Sequence, residues 1–108
     1  MIVEQRTYTL HPGAVAPYLA VYQSHGMVVQ LRHLKQLLGC YTTEIGPLNQ
    51  VVWLWGYEDF AERTRCRAAL LQDPDWRPYT EKLRDFIQAQ ESRILAPTAF
   101  SPLPRTTA

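Results

Sequence analysis

Residues 2–10 (IVEQRTYTL) are rich in β-formers and run into the turn signal His11-Pro12-Gly13, which predicts a first strand. Side chains alternate along a strand, so Ile2, Glu4, Arg6, Tyr8 and Leu10 share one face and Val3, Gln5, Thr7 and Thr9 the other. Neither face is purely apolar. The period then lengthens: Val15, Tyr18, Tyr22, His25 and Val29 recur at steps of three and four, the mark of one side of a helix. Pro17 is tolerated only within a first turn, which sets the helix start near Ala14. Gly26 permits a break or a bend, after which Met27, Leu31, Leu34 and Leu38 carry the helical step to about Leu37. Residues 38–45 (LGCYTTEI) and 49–57 (NQVVWLWGY) are two β-rich runs split by Gly46-Pro47-Leu48, a spacing that predicts an antiparallel hairpin. The second run is apolar on both faces, with Val51, Trp53, Trp55 and Tyr57 on one and Val52, Leu54 and Gly56 on the other.

Residues 59–71 begin with the capping box Asp59-x-x-Glu62 and continue in helix formers. Asp73-Pro74 ends that helix. Asp75 is the expected N-cap of another, with Pro78 at N3 and a stripe of Trp76, Tyr79, Leu83, Phe86 and Ile87. The last strand is expected over 93–96, and Pro97, Pro102 and Pro104 mark an irregular tail. The order βαββαβ is the ferredoxin-like, α+β arrangement: an antiparallel four-stranded sheet with helices on one face. Val52 and Leu54 are expected toward the helices, because their size suits helix packing, and Trp53 and Trp55 away from them. A sheet apolar on both sides needs a cover on its second face, and in so short a chain that cover is a second copy. The expectation is a homodimer forming a dimeric α+β barrel.

The segments EQRTYTLHPG (4–13), GCYTTEIGPLNQ (39–50), VVWLWGY (51–57), DPDW (73–76) and RIL (93–95) resemble the NIPSNAP family, over about residues 2–103. The resemblance implies the same dimeric α+β-barrel fold, with a domain over 1–103 and a tail at 104–108. It implies no established reaction. Animal members of the family are associated with mitochondria, vesicle trafficking and mitophagy signalling, roles not carried over to a chain with no visible presequence. The wider barrel superfamily includes cofactor-free monooxygenases and haem-degrading enzymes, an analogy of fold alone. Where the family pattern often has histidine, this chain has Trp53, so chemistry needing that imidazole does not transfer.

Composition narrows the field. With 108 residues there is room for one domain. Eleven basic against ten acidic residues leave no field to hold a nucleic-acid backbone. The longest apolar stretch, 51–57, is far short of the roughly 20 residues a membrane-spanning helix needs. The chain opens on a strand bearing Glu4 and Arg6 instead of a signal peptide, which points to the cytoplasm. Cys40 and Cys66 have no metal or redox spacing and read as small core residues.

Candidate chemistry is sparse. Arg6 and Tyr8 share a strand face and offer a cation and a phenol to an anionic or carbonyl-bearing ligand; the plain alternative is neutralisation of Arg6 by Glu4 across the dimer. Trp53 and Trp55, with Tyr57, would form an aromatic wall suited to a flat organic molecule, or simply core. His25 stands where a general base or axial ligand could sit, or where it caps a helix C-terminus. Arg63 and Arg67, one turn apart, could grip a phosphate, or be solvated and paired with Glu62. No histidine occurs over 59–89, the helical region where haem-degrading relatives place their ligand, so haem is a minority reading. We expect no cofactor and no metal, since no His, Cys or carboxylate set has ligand spacing. The reading is a binder of a small aromatic or acidic molecule, with a cofactor-free monooxygenase or isomerase as the enzymatic alternative. In that alternative Arg6 holds substrate charge, Tyr8 hydrogen-bonds, and Trp53 and Trp55 exclude water. An interaction module docking a partner through its tail is the rival from another class.

Overall fold

The computed structural model describes residues 1–104. Its elements are β1 (Ile2–Leu10), α1 (Val15–Val21), a π-helical turn (Tyr22–Gly26), α2 (Met27–His33), β2 (Leu37–Thr42), β3 (Gln50–Tyr57), α3 (Phe60–Gln72), α4 (Trp76–Leu83) and β4 (Ile87–Leu95). The strands form one sheet in the order β2-β3-β1-β4, antiparallel throughout. This is the expected ferredoxin-like α+β architecture. Of the tail expected at 104–108, Pro104 alone is described, and it is buried; the remainder lies outside the described residues.

Local signals account for many of the boundaries. Strand β1 has the predicted limits. Helix α3 begins on its capping box: the Asp59 side chain accepts from the Glu62 N–H at 2.8 Å, and Glu62 reaches back to the Glu58 N–H at 2.6 Å. The β2–β3 connection turns on Gly46 (φ 124°) and Asn49 (φ 64°), two residue types that tolerate left-handed backbone.

Several expectations need correction. The bend at Gly26 is a π turn within continuous helix, not a break. Helix α2 stops at His33, because Leu34 is already extended, and β2 occupies Leu37–Thr42 instead of 38–45. Asp75 caps nothing with its side chain; Asp73 Oδ1 instead accepts from the Asp75 N–H at 2.9 Å. Helix α4 ends at Leu83, so Phe86 and Ile87 do not extend its stripe. Strand β4 starts at Ile87, six residues before position 93. Its polar sequence IQAQES carries no strand pattern of its own and is extended because it pairs with β1, from Leu10↔Ile87 to Val3↔Leu95.

The largest correction concerns the faces of β3. Glu4 is opposite Trp55, Arg6 opposite Trp53 and Tyr8 opposite Val51 in the register. Trp53 and Trp55 lie under the helices, 3% and 1% exposed, whereas Val52 and Leu54 are half-buried on the open face. The helices present rings, not aliphatic ridges. Tyr22 meets Trp53 edge-on at 4.6 Å between ring centroids, and the Trp53 indole N–H donates to Tyr18 Oη at 3.1 Å. The space between the layers is thus ring-sized, and removing an indole from water gains more than removing Val or Leu.

Candidate functional site

Four of the residues singled out above converge. Arg6 and Tyr8 from β1 and Trp53 and Trp55 from β3 line one cavity of about 220 Å³ between sheet and helices. Strand alternation puts each pair on the helix side, and the β1–β3 register sets Arg6 beside Trp53. The two indoles are stacked at 5.9 Å with an 11° interplanar angle. The opposite wall comes from Tyr18 of α1, Tyr22 of the π turn, Gln30 of α2, and Trp76 and Tyr79 of α4. All three tryptophans of the chain therefore line this cavity. Exposed Arg84 and Gln90 mark where it meets solvent.

Gly26 sets the closeness of the π turn to α4. A Cβ there would stand 2.5 Å from Cζ of Tyr79, so only glycine allows this approach.

The fifth candidate lies elsewhere. His25 is exposed on the outside of the π turn, with Nδ1 at 2.6 Å from Ser24 Oγ, and does not line the cavity. His33, the last residue of α2, is partly buried and meets Asp73 at 2.9 Å, where Arg32 also binds. His33 and the other donors hold the Asp73 carboxyl below its ordinary range.

Beneath the cavity lies an ion cluster. Arg6 is fixed on two sides: Nε donates to Tyr8 Oη at 3.0 Å and Nη1 to Glu4 Oε2 at 3.1 Å. This contact falls within one chain, not across a dimer as expected from the sequence. Glu4, fully buried, also accepts from Arg63 at 3.1 and 2.7 Å and from the Ser92 hydroxyl. Burial pulls its pKa up, yet the bonds from Arg63 and Ser92 and the charges of Arg6 and Arg63 hold it at about 2. Arg63 is thus committed to Glu4, while Glu62, its expected partner, serves the helix cap. One carboxylate against two guanidiniums leaves a net positive charge.

Arg67 and Arg84 bring further positive charge to the lining, which carries no Asp, Glu, His or Cys among the described residues. The hydroxyls facing the cavity are weak acids: burial pushes Tyr18, Tyr22 and Tyr79 well above the ordinary phenol value. They remain protonated at neutral pH and act as hydrogen-bond donors. No lining group is a neutral-pH proton acceptor. Chemically, an aromatic lining with three arginines suits a flat, negatively charged molecule. No group of three or more His, Cys, Asp or Glu side chains gathers as a metal site among the described residues.

Tyr22, Gln30 and Arg84 were not singled out as site residues from sequence, and Arg67 was singled out only as one of an arginine pair able to grip a phosphate. The available signal was the use of tyrosine, not phenylalanine, at positions 18, 22 and 79 of apolar helix stripes, since a buried phenol needs a partner. Gln30 gave none.

The sheet order and one-sided helix layer define a ferredoxin-like α+β domain. The same fold occurs in an antibiotic biosynthesis monooxygenase at 13% identity, with a TM-score of 0.63 over 91% of this chain and 99% of that one. More specifically, the NIPSNAP family model matches residues 3–102, and the chain belongs to the NIPSNAP family. A NIPSNAP-family protein of unknown function from Agrobacterium tumefaciens superposes with a TM-score of 0.93 at 41% identity, covering 95% of this chain and 93% of that one. A NipSnap homolog from Dictyostelium discoideum is 31% identical over 94 residues, 87% of this chain and 41% of that protein. The chain thus spans between 19% and 41% of the length of the curated relatives it matches.

Proposed function

We propose that this chain binds a small, single-ring aromatic anion in the cavity between sheet and helices, as a cytoplasmic homodimer. The observation that carries the reading is the lining itself, aromatic on both walls, with Arg6, Arg67 and Arg84 and no carboxylate among the described residues. A volume of about 220 Å³ suits one ring with its substituents, given that a cavity of about 150 Å³ accepts benzene. Arg6 keeps its Nη2 donors free of the bonds to Tyr8 and Glu4, and supplies a charge-assisted contact. The lining offers no carboxylate, imidazole or thiol as a base among the described residues, so binding is the reading the geometry supports best.

The test is tryptophan emission, because all three indoles face the site. Single-ring aromatic carboxylates should change it and their neutral amides should not, and Arg6→Ala should weaken the carboxylates at least tenfold. Equal response to acid and amide, or response to neither, would overturn the reading.

Support for the dimer is the sheet face without helices. It carries Val52, Leu54 and a 56%-exposed Tyr41, apolar groups that a second sheet would cover. Sedimentation should give twice 12.5 kDa, and a stable species of 12.5 kDa would refute it. The two free thiols, Cys40 and Cys66, are in keeping with a reducing compartment.

No helix among the described residues is long and apolar enough to cross a membrane.

A further inference from the structure

Arg6 spends its hydrogen bonds unevenly. Nε donates to Tyr8 Oη at 3.0 Å and Nη1 to Glu4 Oε2 at 3.1 Å. Nη2 has no partner among the described residues, yet it is not closed off: the buried side-chain atoms left unpartnered there are Tyr22 Oη, Gln30 Oε1 and Tyr57 Oη. The Arg6 side chain is 17% exposed and lines the cavity together with Tyr8.

The covalent shape of the guanidinium fixes where Nη2 points. Nε–H and one Nη2–H leave the same edge of the planar group side by side, the fork that grips both oxygens of a carboxylate. Tyr8 Oη occupies the first of those two oxygen positions. The second, in line with Nη2–H, is therefore beside Tyr8 Oη. A phenol oxygen that accepts from Nε keeps its own proton to donate, and that proton has no acceptor among the described residues. An oxygen in the second position takes both hydrogens, one from a cation and one from a phenol.

We infer that this position is an oxyanion site for a phenolate, whose single charged oxygen accepts from Arg6 Nη2 and the Tyr8 hydroxyl while its ring lies against Trp53, opposite Arg6 in the sheet. This rests on the aromatic-anion reading above and names the atom that carries the charge. A carboxylate divides its charge between two oxygens, and Tyr8 fills the place the second would take on this edge; a phenolate loses nothing by that. The surrounding charges favour the ionised ligand. Arg6 of β1, Arg67 of α3 and Arg84 after α4 line the cavity, and Glu4, the carboxylate bonded to Arg6, is offset by Arg63. Ser92 and Gln90 of β4, paired with Arg6 and Tyr8, are neutral. The ligand binds with its proton already in bulk water, so the absence of a lining base is no obstacle.

4-Nitrophenol, whose anion alone is yellow, tests this on the full chain. Absorbance titration of the bound probe should show half-ionisation about one pH unit below that of the free probe, a tenfold preference for phenolate over phenol. Tyr8→Phe removes one of the two donors and frees the guanidinium edge for a side-on carboxylate. It should abolish most of that shift and weaken nitrophenolate about tenfold, while benzoate, followed by tryptophan emission, binds as well as to the parent or better. A misfolded variant would weaken both ligands. If the bound probe ionises at the same pH as the free one, or the shift survives Tyr8→Phe, or benzoate binds and nitrophenol does not, the oxyanion site is wrong while aromatic-anion binding stands. If neither ligand binds, both fall.

Discussion

Replacing Glu4 by glutamine keeps the size of a fully buried side chain and removes its charge. In the parent protein that carboxylate accepts bonds from Arg63, Arg6 and Ser92 and titrates at about 2, against an ordinary 4.5. The difference corresponds to about 3 kcal/mol of folding stability. Because the folded pKa is depressed, this contribution is complete above the unfolded pKa of 4.5 and is lost as pH falls through about 2. Glu4→Gln leaves two guanidiniums facing each other without a counter-charge, a change of the size seen when one partner of a buried pair is removed, about 3–5 kcal/mol. Urea denaturation followed by circular dichroism at pH 7, 5, 4 and 3 reads both consequences. The variant should be less stable by about 3 kcal/mol at pH 7, and the gap should roughly halve by pH 3. Other carboxylates titrating in acid affect both proteins alike, so the difference isolates Glu4. A gap below about 1 kcal/mol at pH 7, or one that stays constant into acid, would refute the account of the cluster.

Three further substitutions probe other parts of the fold. Gly26→Ala puts a methyl 2.5 Å from the Tyr79 ring, which is 3% exposed and can yield only by moving into the cavity it lines. Its urea midpoint should fall by an amount equivalent to about 1–3 kcal/mol, with a change in tryptophan emission as the cavity wall shifts. Asp59→Ala removes the acceptor for the Glu62 N–H and should cost about 1 kcal/mol in the same assay, whereas Asp75→Ala, at a position that caps nothing, should cost measurably less. Val52→Arg places a charge on the open sheet face and, if the proposed dimer forms through that face, should give a 12.5 kDa species in sedimentation while far-UV circular dichroism stays unchanged.

Much of this fold was legible because its causes are local. Nine residues of alternating β-formers ended by His11-Pro12-Gly13 define β1. Asp59 and Glu62 define the start of α3, and turn chemistry separates β2 from β3. The ferredoxin-like order follows from counting these elements. What could not be read locally depends on partners distant in the chain. The polar run from Ile87 onward is a strand only because β1 offers it an edge. Glu4 is an ionised, buried residue only because Arg63 and Ser92, 59 and 88 positions away, are brought to it. Periodicity put Trp53 and Trp55 on one face and Val52 and Leu54 on the other, but it could not say which face the helices cover. That choice belongs to the packed layers, where tyrosine rings on the π turn and α4 leave a gap wide enough for indoles. The cavity is a further consequence of the same gap: a one-dimensional pattern fixes which side chains point together, whereas the distance between layers, and any space left in it, is set only once they pack.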